Sequence, residues 1–94
     1  MYFALDCRLP IDEGKWPWFT KSHIPCSGNC INDNVGFHSL EEAWNACKII
    51  DACAYLTKNE NTGTFYLRRR EDQVNQESLE GWKSMQYECT GIQI

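Results

Sequence analysis

The sequence lacks any apolar run of the roughly 18 residues that a membrane-spanning helix needs, so we expect no membrane span. Basic residues are few, 9 Lys and Arg against 13 Asp and Glu, and the net charge of −4 argues against general binding to nucleic acid. Histidine occurs only twice, and the chain contains no H-E-x-x-H, no G-x-S-x-G and no glycine-rich phosphate loop. We therefore expect neither an enzyme nor a cofactor.

Cysteine, by contrast, is abundant, with six residues in a chain of 94. An even number of cysteines in so short a chain is typical of a disulfide framework, in which each bond contributes about 2–4 kcal/mol to stability. Such bonds persist in oxidising surroundings and leave no thiolate for catalysis. We predict a secreted, extracellular protein in which residues 1–94 form one module.

Zinc binding is the alternative use of these cysteines. Two thiols and two imidazoles suited to a tetrahedral Zn²⁺ site occur close together, at His23, Cys26, Cys30 and His38. However, three residues separate Cys26 from Cys30, and His23 precedes the pair instead of following it, unlike the usual spacing. The zinc set also leaves four cysteines unexplained, so we predict disulfides and no metal site.

One helix is predicted over about Leu40–Ile50. Ser39 and Glu42 form an S-x-x-E capping box, in which each side chain satisfies an otherwise unpaired backbone N–H group. Apolar residues then recur at helical spacing, and they form one stripe of Leu40, Ala43, Trp44 and Cys47.

A hairpin is predicted after the helix. Two short runs with β propensity, Cys53–Lys58 and Thr64–Arg69, are separated by turn-forming residues. We interpret the polar stretch Arg70–Glu80 as a loop. The simplest fold is α+β, a small antiparallel β-sheet with one α-helix packed across it and disulfides as cross-links.

Two further strands and one irregular region complete the prediction. Trp82–Cys89 alternates apolar and polar residues, and Tyr2–Cys7 is a short strand candidate. Leu9–Phe37 holds all three prolines and three glycines, which favours irregular structure with one or two short strands.

The run Ser39–Cys47, followed after five residues by Cys53–Leu56, resembles the PAN/apple module family. The resemblance implies a Cys47–Cys53 bond between helix and sheet, and a Cys7–Cys89 bond between the first and last strands. Cys26 and Cys30 are then left over, and we pair them with each other. Another pairing stays open, Cys26–Cys53 with Cys30–Cys47, because six cysteines allow fifteen connectivities.

Aromatic and arginine residues supply the candidate ligand contacts. Three aromatic rings occur within Trp16–Phe19, and aromatic rings give a large contact area at low entropic cost. Arg68–Arg70 is the one concentrated positive charge, and guanidinium groups suit carboxylates, sulfates and phosphates. The predicted ligand-binding residues are Trp16, Trp18, Tyr66, Arg68, Arg70 and Trp82.

We predict a non-catalytic extracellular binding module that recognises protein or carbohydrate, as the PAN/apple resemblance implies. The alternative is a structural subunit or appended module of an extracellular or viral-surface assembly, for which the apolar ends Met1–Leu5 and Gly91–Ile94 are candidate self-assembly contacts. A small inhibitor or toxin-like factor is a third interpretation, and it would present a rigid loop closed by Cys26–Cys30.

Overall fold

The structure is a computed structural model that describes residues 3–6, 18–26, 28–87 and 90–93, the first and last of these ranges by their backbone alone. It contains a two-stranded sheet and a four-stranded sheet, both antiparallel. The first sheet pairs β1 (Phe3–Asp6) with β6 (Thr90–Gln93). The second has the order β2-β5-β3-β4, formed by β2 (Phe19–His23), β3 (Cys53–Asn59), β4 (Thr64–Arg69) and β5 (Glu77–Gln86).

The predicted helix is confirmed as α1, which spans Leu40–Ile49. The Ser39 hydroxyl accepts a hydrogen bond from the Glu42 N–H at 3.1 Å, so the first turn is capped as the sequence predicts. The buried face of α1 is the predicted stripe, with Ala43, Trp44 and Cys47 each at most 2% exposed. Among the described residues, no helix has the length and apolar character needed to cross a bilayer.

The predicted hairpin is also confirmed, as β3 and β4. Two hydrogen bonds to Asn59 form its turn. The Asn59 side chain accepts from the Asn61 N–H at 3.0 Å, and the Asn59 backbone carbonyl accepts from the Gly63 N–H at 2.8 Å. Gly63 has φ +73°, a left-handed conformation that glycine adopts without steric cost.

The hydrophobic core lies between α1 and one face of the four-stranded sheet. Burial of the core side chains removes apolar surface from water, which stabilises the folded state by about 25 cal/mol per Å² of apolar surface. The Trp44 ring lies 4.6 Å from the ring of Tyr87, whose hydroxyl is buried without a hydrogen-bond partner among the described residues. Burial raises the pKa of Tyr87. The buried cluster consists of Ile31, Ala43, Trp44, Cys47, Cys53, Leu56, Phe65, Leu67 and Met85.

Two of the three predicted disulfides, Cys26–Cys30 and Cys47–Cys53, are present. The α+β prediction, with one helix across a small antiparallel sheet and disulfides as cross-links, is therefore confirmed. The alternative pairing, Cys26–Cys53 with Cys30–Cys47, is not the one observed. Cys26 and Cys30 are bonded to each other and so supply no thiolates to a zinc site with His23 and His38. The predicted Cys7–Cys89 bond lies outside the described residues.

The interpretation of Arg70–Glu80 as a loop is wrong. A 3₁₀ helix spans Arg70–Asn75, and β5 begins at Glu77. Residues 77–80 are all exposed, so no alternation of apolar residues marks this half of the strand. Its pairing partner is β2, where His23 lies opposite Glu77, and this partner is 54 residues away in the sequence.

The terminal sheet was predicted only in part. The predicted strand Tyr2–Cys7 contains β1, but β6 was not predicted because it is short and includes Gly91. Phe3 pairs with Gln93 and Asp6 pairs with Thr90, so the register is set by a partner from the opposite end of the chain. Local patterns cannot reveal such a pairing.

Candidate ligand-binding face

The four-stranded sheet has two different faces, because side chains on successive residues of a strand point to opposite sides. Leu56 lies opposite both Leu67 and Met85, and these residues face α1. Thr57 lies opposite Tyr66 and Ser84 on the other side of the sheet. We call this other side the loop face.

Part of the loop face is covered by residues 24–26 and 28–36, which we call the crossing segment. The segment leaves β2 at Ile24, which is 1% exposed and whose N–H donates to the Thr57 hydroxyl at 3.5 Å. It reaches the edge of β4 at Phe37, where Phe37 and Phe65 exchange backbone hydrogen bonds of 2.7 and 2.8 Å. The segment therefore runs from β2 to the opposite edge strand.

Arg68 holds the crossing segment on the sheet. Its side chain is 3% exposed and donates hydrogen bonds to the Ile24 carbonyl at 2.5 Å, the Asn34 side chain at 2.7 Å and the Leu67 carbonyl at 2.9 Å. Burial lowers the pKa of the Arg68 guanidinium, while the charge of Asp72 and, secondarily, Tyr66 act in the opposite direction. The guanidinium is thus a structural anchor, with three of its five N–H donors used inside the protein.

Further bonds fix the shape of the crossing segment. The Cys26–Cys30 disulfide closes one turn, and the Arg69 side chain donates to the Asn29 carbonyl at 3.0 Å. Three consecutive residues, Asn32–Asn34, have left-handed φ values of 55°, 53° and 60°. Asn and Asp tolerate this conformation better than other residues with a side chain, yet three in succession persist only where the surroundings impose them. The segment is therefore closed on itself by a disulfide and tied to the sheet by side-chain hydrogen bonds.

Gly36 is required where the crossing segment passes β4. A methyl group at this position would overlap Cγ2 of Thr64 and lie 3.0 Å from Cε1 of Tyr66. We expect Gly36→Ala to lower the free energy of unfolding by about 1–3 kcal/mol, because the added carbon overpacks a tight contact. Thr64→Ser removes the overlapping methyl group and should restore part of this loss in the double variant. Urea unfolding of both single variants and of the double variant gives the three losses of stability. A loss in the double variant equal to the sum of the two single losses would contradict the contact.

Three rings form a connected group on the loop face, which we call the aromatic row: His23, Trp82 and Tyr66. The His23 and Trp82 ring centroids are 4.1 Å apart, and those of Trp82 and Tyr66 are 6.0 Å apart. His23 Nδ1 lies 2.7 Å from Glu77 Oε1, which orients the imidazole against the indole. All three rings are partly exposed.

A cleft of about 320 Å³ lies on the same face and is called here the amide cleft. Its wall at Phe19, Gln73 and Gln76 also borders a larger, more open cleft. Trp82 and Gln86 lie on the same side of β5, about 13 Å apart at 3.3 Å per residue, so the aromatic row and the amide cleft are neighbouring but separate. The amide cleft is lined by Phe19, Ile24, Tyr55, Gln73, Gln76, Ser84, Met85 and Gln86.

The predicted ligand-binding residues do not form one group. Tyr66, Arg68 and Trp82 lie together on the loop face, and the Arg68 guanidinium is 5.4 Å from the centre of the Tyr66 ring. Trp18 packs elsewhere, with its ring 6.3 Å from that of Phe65. β4 ends at Arg69, and exposed Arg70 begins the 3₁₀ helix. Arg70 therefore does not share a strand face with Arg68. Trp16 lies outside the described residues.

Sequence reasoning missed His23, Phe19 and the glutamines of the amide cleft. His23 was considered only as a zinc ligand, and Phe19 only as part of an aromatic run. Gln73 and Gln76 belong to the stretch interpreted as a loop, and no local pattern connects them with Phe19. Of the described side chains, no three from His, Cys, Asp and Glu gather in a way that could hold a metal ion.

In comparisons with family models, with curated proteins and with solved structures, nothing matches this chain. The resemblance to PAN/apple modules therefore rests on the sequence, chiefly on residues 39–47 and 53–56.

Proposed function

We propose that this protein is a non-catalytic extracellular module that binds a protein or carbohydrate ligand on the loop face. The aromatic row carries this proposal, because it presents three partly exposed rings in which Trp82 packs against both His23 and Tyr66. Aromatic side chains bury large areas on binding and lose little rotamer entropy, and they are enriched at recognition surfaces.

The packing around the aromatic row supports the proposal. Tyr66 lies on the central part of β4, and Gly36 of the crossing segment packs directly against its ring. His23 is tied to Glu77, and Trp82 is held between His23 and Tyr66. A surface already in its bound shape loses less conformational entropy on association, which favours affinity.

The two disulfides support the extracellular part of the proposal, because such bonds persist outside reducing compartments. The PAN/apple-like assignment is retained as part of the proposal, on the strength of its motif residues. In this interpretation α1, the hairpin and the Cys47–Cys53 bond form the scaffold, and the loop face supplies the ligand contacts.

A structural role in an extracellular or viral-surface assembly is the second candidate. The observation in its favour is the β1–β6 sheet, because a sheet of two strands is marginally stable alone and gains from pairing with another strand. Light scattering at several concentrations separates the two candidates. A binding module stays monomeric throughout, whereas an assembly subunit increases in mass with concentration.

Trp82→Ala tests the aromatic row. We expect at least a ten-fold loss of affinity for whichever ligand a screen of extracellular proteins and glycans identifies, because truncation of a central aromatic contact typically costs 2 kcal/mol or more, roughly thirty-fold. Binding is measured by calorimetry on folded protein, as judged by circular dichroism. Trp82→Phe keeps a ring and should retain most of the affinity.

Ile49→Ala is the matched control, since Ile49 is 79% exposed on α1, away from the loop face. Its affinity should equal that of the unmodified protein. If Trp82→Ala and Tyr66→Ala both bind as tightly as the Ile49→Ala control, the aromatic row is not the binding surface.

A further inference from the structure

We infer that the amide cleft binds a neutral saccharide. The inference rests on the proposed function and adds a second subsite, with a defined ligand chemistry, to the same face. It concerns residues distinct from the aromatic row, so the two subsites can be tested separately.

The lining of the amide cleft carries no charge among the described residues, although 23% of the residues in the chain are charged. The larger cleft shares Phe19, Gln73 and Gln76 with the amide cleft but differs from it, because Lys21 and Glu77 also line the larger cleft. A charged ligand gains most from an opposite charge or a bidentate partner, and the amide cleft offers neither. Its chemistry therefore favours a ligand that is polar but uncharged.

Two glutamines are held in fixed orientations at the cleft. Gln73 Nε2 donates to Gln76 Oε1 at 3.0 Å, and Gln76 Nε2 donates to the Ser22 hydroxyl at 2.6 Å. The Ser84 hydroxyl in turn donates to the Ser22 carbonyl at 2.8 Å. This chain of bonds ties the 3₁₀ helix to β2 and β5, and it leaves the Gln73 Oε1 available to accept a hydrogen bond.

Two more polar side chains face the cleft from neighbouring strands. Tyr55 and Gln86 lie opposite each other in the register of β3 and β5. Neither the Tyr55 hydroxyl nor the Gln86 amide forms a hydrogen bond with another described residue. Hydroxyl and amide groups both donate and accept, which matches sugar hydroxyl groups that also do both.

Phe19 supplies the apolar part of the site. Its side chain is 65% exposed and stands at the wall of the cleft, where its ring can pack against the C–H face of a sugar. The volume of about 320 Å³ is at the lower end of the range of roughly 300–1,000 Å³ for small-ligand pockets. This size suits one or two sugar rings better than an extended peptide.

The test is a titration of the ¹⁵N-labelled full chain followed by NMR. The probes are the methyl glycosides of glucose, galactose, mannose and N-acetylglucosamine. The charged counterparts are the methyl glycosides of glucuronic, galacturonic and mannuronic acid and of glucosamine. We expect at least one neutral glycoside to shift the side-chain signals of Gln73, Gln76 and Gln86, of which Gln86 lines the amide cleft and not the larger one. Its charged counterpart should bind at least ten-fold more weakly.

Variants locate the site. Phe19→Ala and Gln86→Leu should each weaken binding of that glycoside about ten-fold, and both positions are exposed enough for the fold to persist. Val74→Ala is the matched control, because Val74 is 80% exposed and lines only the larger cleft. It should leave the affinity unchanged.

The failures of the two proposals differ. If glycoside binding is lost in Trp82→Ala but kept in Phe19→Ala, the amide cleft is overturned while the binding function stands. If Phe19→Ala abolishes binding of a peptide and no neutral glycoside binds, the saccharide class is overturned. If neither glycosides nor extracellular proteins bind the unmodified chain, both proposals are overturned.

Discussion

Replacing Arg68 with methionine should lower the free energy of unfolding by about 3–5 kcal/mol, a large part of the stability of a domain of this size. The guanidinium is buried and donates three hydrogen bonds, two of which hold Ile24 and Asn34 of the crossing segment. Methionine fills similar volume but leaves the Ile24 carbonyl and the Asn34 side chain without donors, and unsatisfied buried polar groups are costly. Urea unfolding measures the loss.

Arg70→Met is the matched control within the same run of arginines, because Arg70 is exposed. It should change the free energy of unfolding by less than about 0.5 kcal/mol. Arg68→Lys keeps the charge but not the planar fork, and we expect it to be closer to methionine than to arginine. Losses for Arg68→Met and Arg70→Met within about 0.5 kcal/mol of each other would contradict the anchoring role and restore Arg68 as a candidate ligand contact.

Removal of the Cys47–Cys53 bond should be the second large effect. The double variant Cys47→Ala/Cys53→Ala is expected to lose about 3–5 kcal/mol, from loop closure in the unfolded chain and from lost packing. Both side chains are buried in the core, at 2% and 8% exposure, where the bond ties the end of α1 to the start of β3. Thermal and urea unfolding under non-reducing conditions give the loss.

The Cys26–Cys30 bond provides the comparison. It closes a shorter loop, with a sequence separation of 4 against 6, and its sulfurs lie outside the core. We expect Cys26→Ala/Cys30→Ala to lose about 2 kcal/mol and to raise hydrogen exchange mainly in residues 28–36. A larger loss for this pair than for Cys47–Cys53 would show that the crossing segment, and not the helix–hairpin junction, dominates stability.

The sequence predicts those elements whose signals are local. The Ser39 cap, the helical stripe ending at Cys47 and the hairpin turn before Thr64 each involve neighbours within a few residues. Such contacts leave periodic patterns that reveal the structure before any partner is known. The fold class and the α1–hairpin unit follow from them.

The first half of β5 and the role of Arg68 depend on distant partners. Between the pairs Thr20–Lys83 and Ser22–Ser78, β2 advances two residues and β5 advances five, so the strands pair across a large bulge. No pattern within either strand encodes that pairing. The carbonyl of Ile24, 44 positions from Arg68, likewise decides that this arginine is an anchor.

The candidate site was predictable only as a set of residue types. Aromatic rings on a binding surface were expected, and Tyr66 and Trp82 do lie together. His23 joins these two rings, and Phe19 lies beside the glutamines, because β2 pairs with β5. The order of strands in the sheet creates both groups, and sequence spacing does not contain that order.

The disulfide framework underlies both the fold and the extracellular proposal, and one mass-spectrometric measurement tests it most directly. Intact mass is recorded before and after reduction, followed by a non-reducing digest with trypsin and a glutamate-specific protease. Cleavage after Glu42 separates Cys26 and Cys30 from Cys47, so the digest distinguishes the observed pairing from its alternative.

We predict a gain of about 6 mass units on reduction, which corresponds to three disulfides. The digest should yield a Cys26–Cys30 peptide, a Cys47–Cys53 pair and a Cys7–Cys89 pair. In the sequence, Cys7 follows Asp6 and Cys89 precedes Thr90, and Asp6 pairs with Thr90 in the β1–β6 sheet. An unchanged mass, with free thiols or bound zinc at Cys26 and Cys30, would contradict the framework and with it the proposed extracellular function.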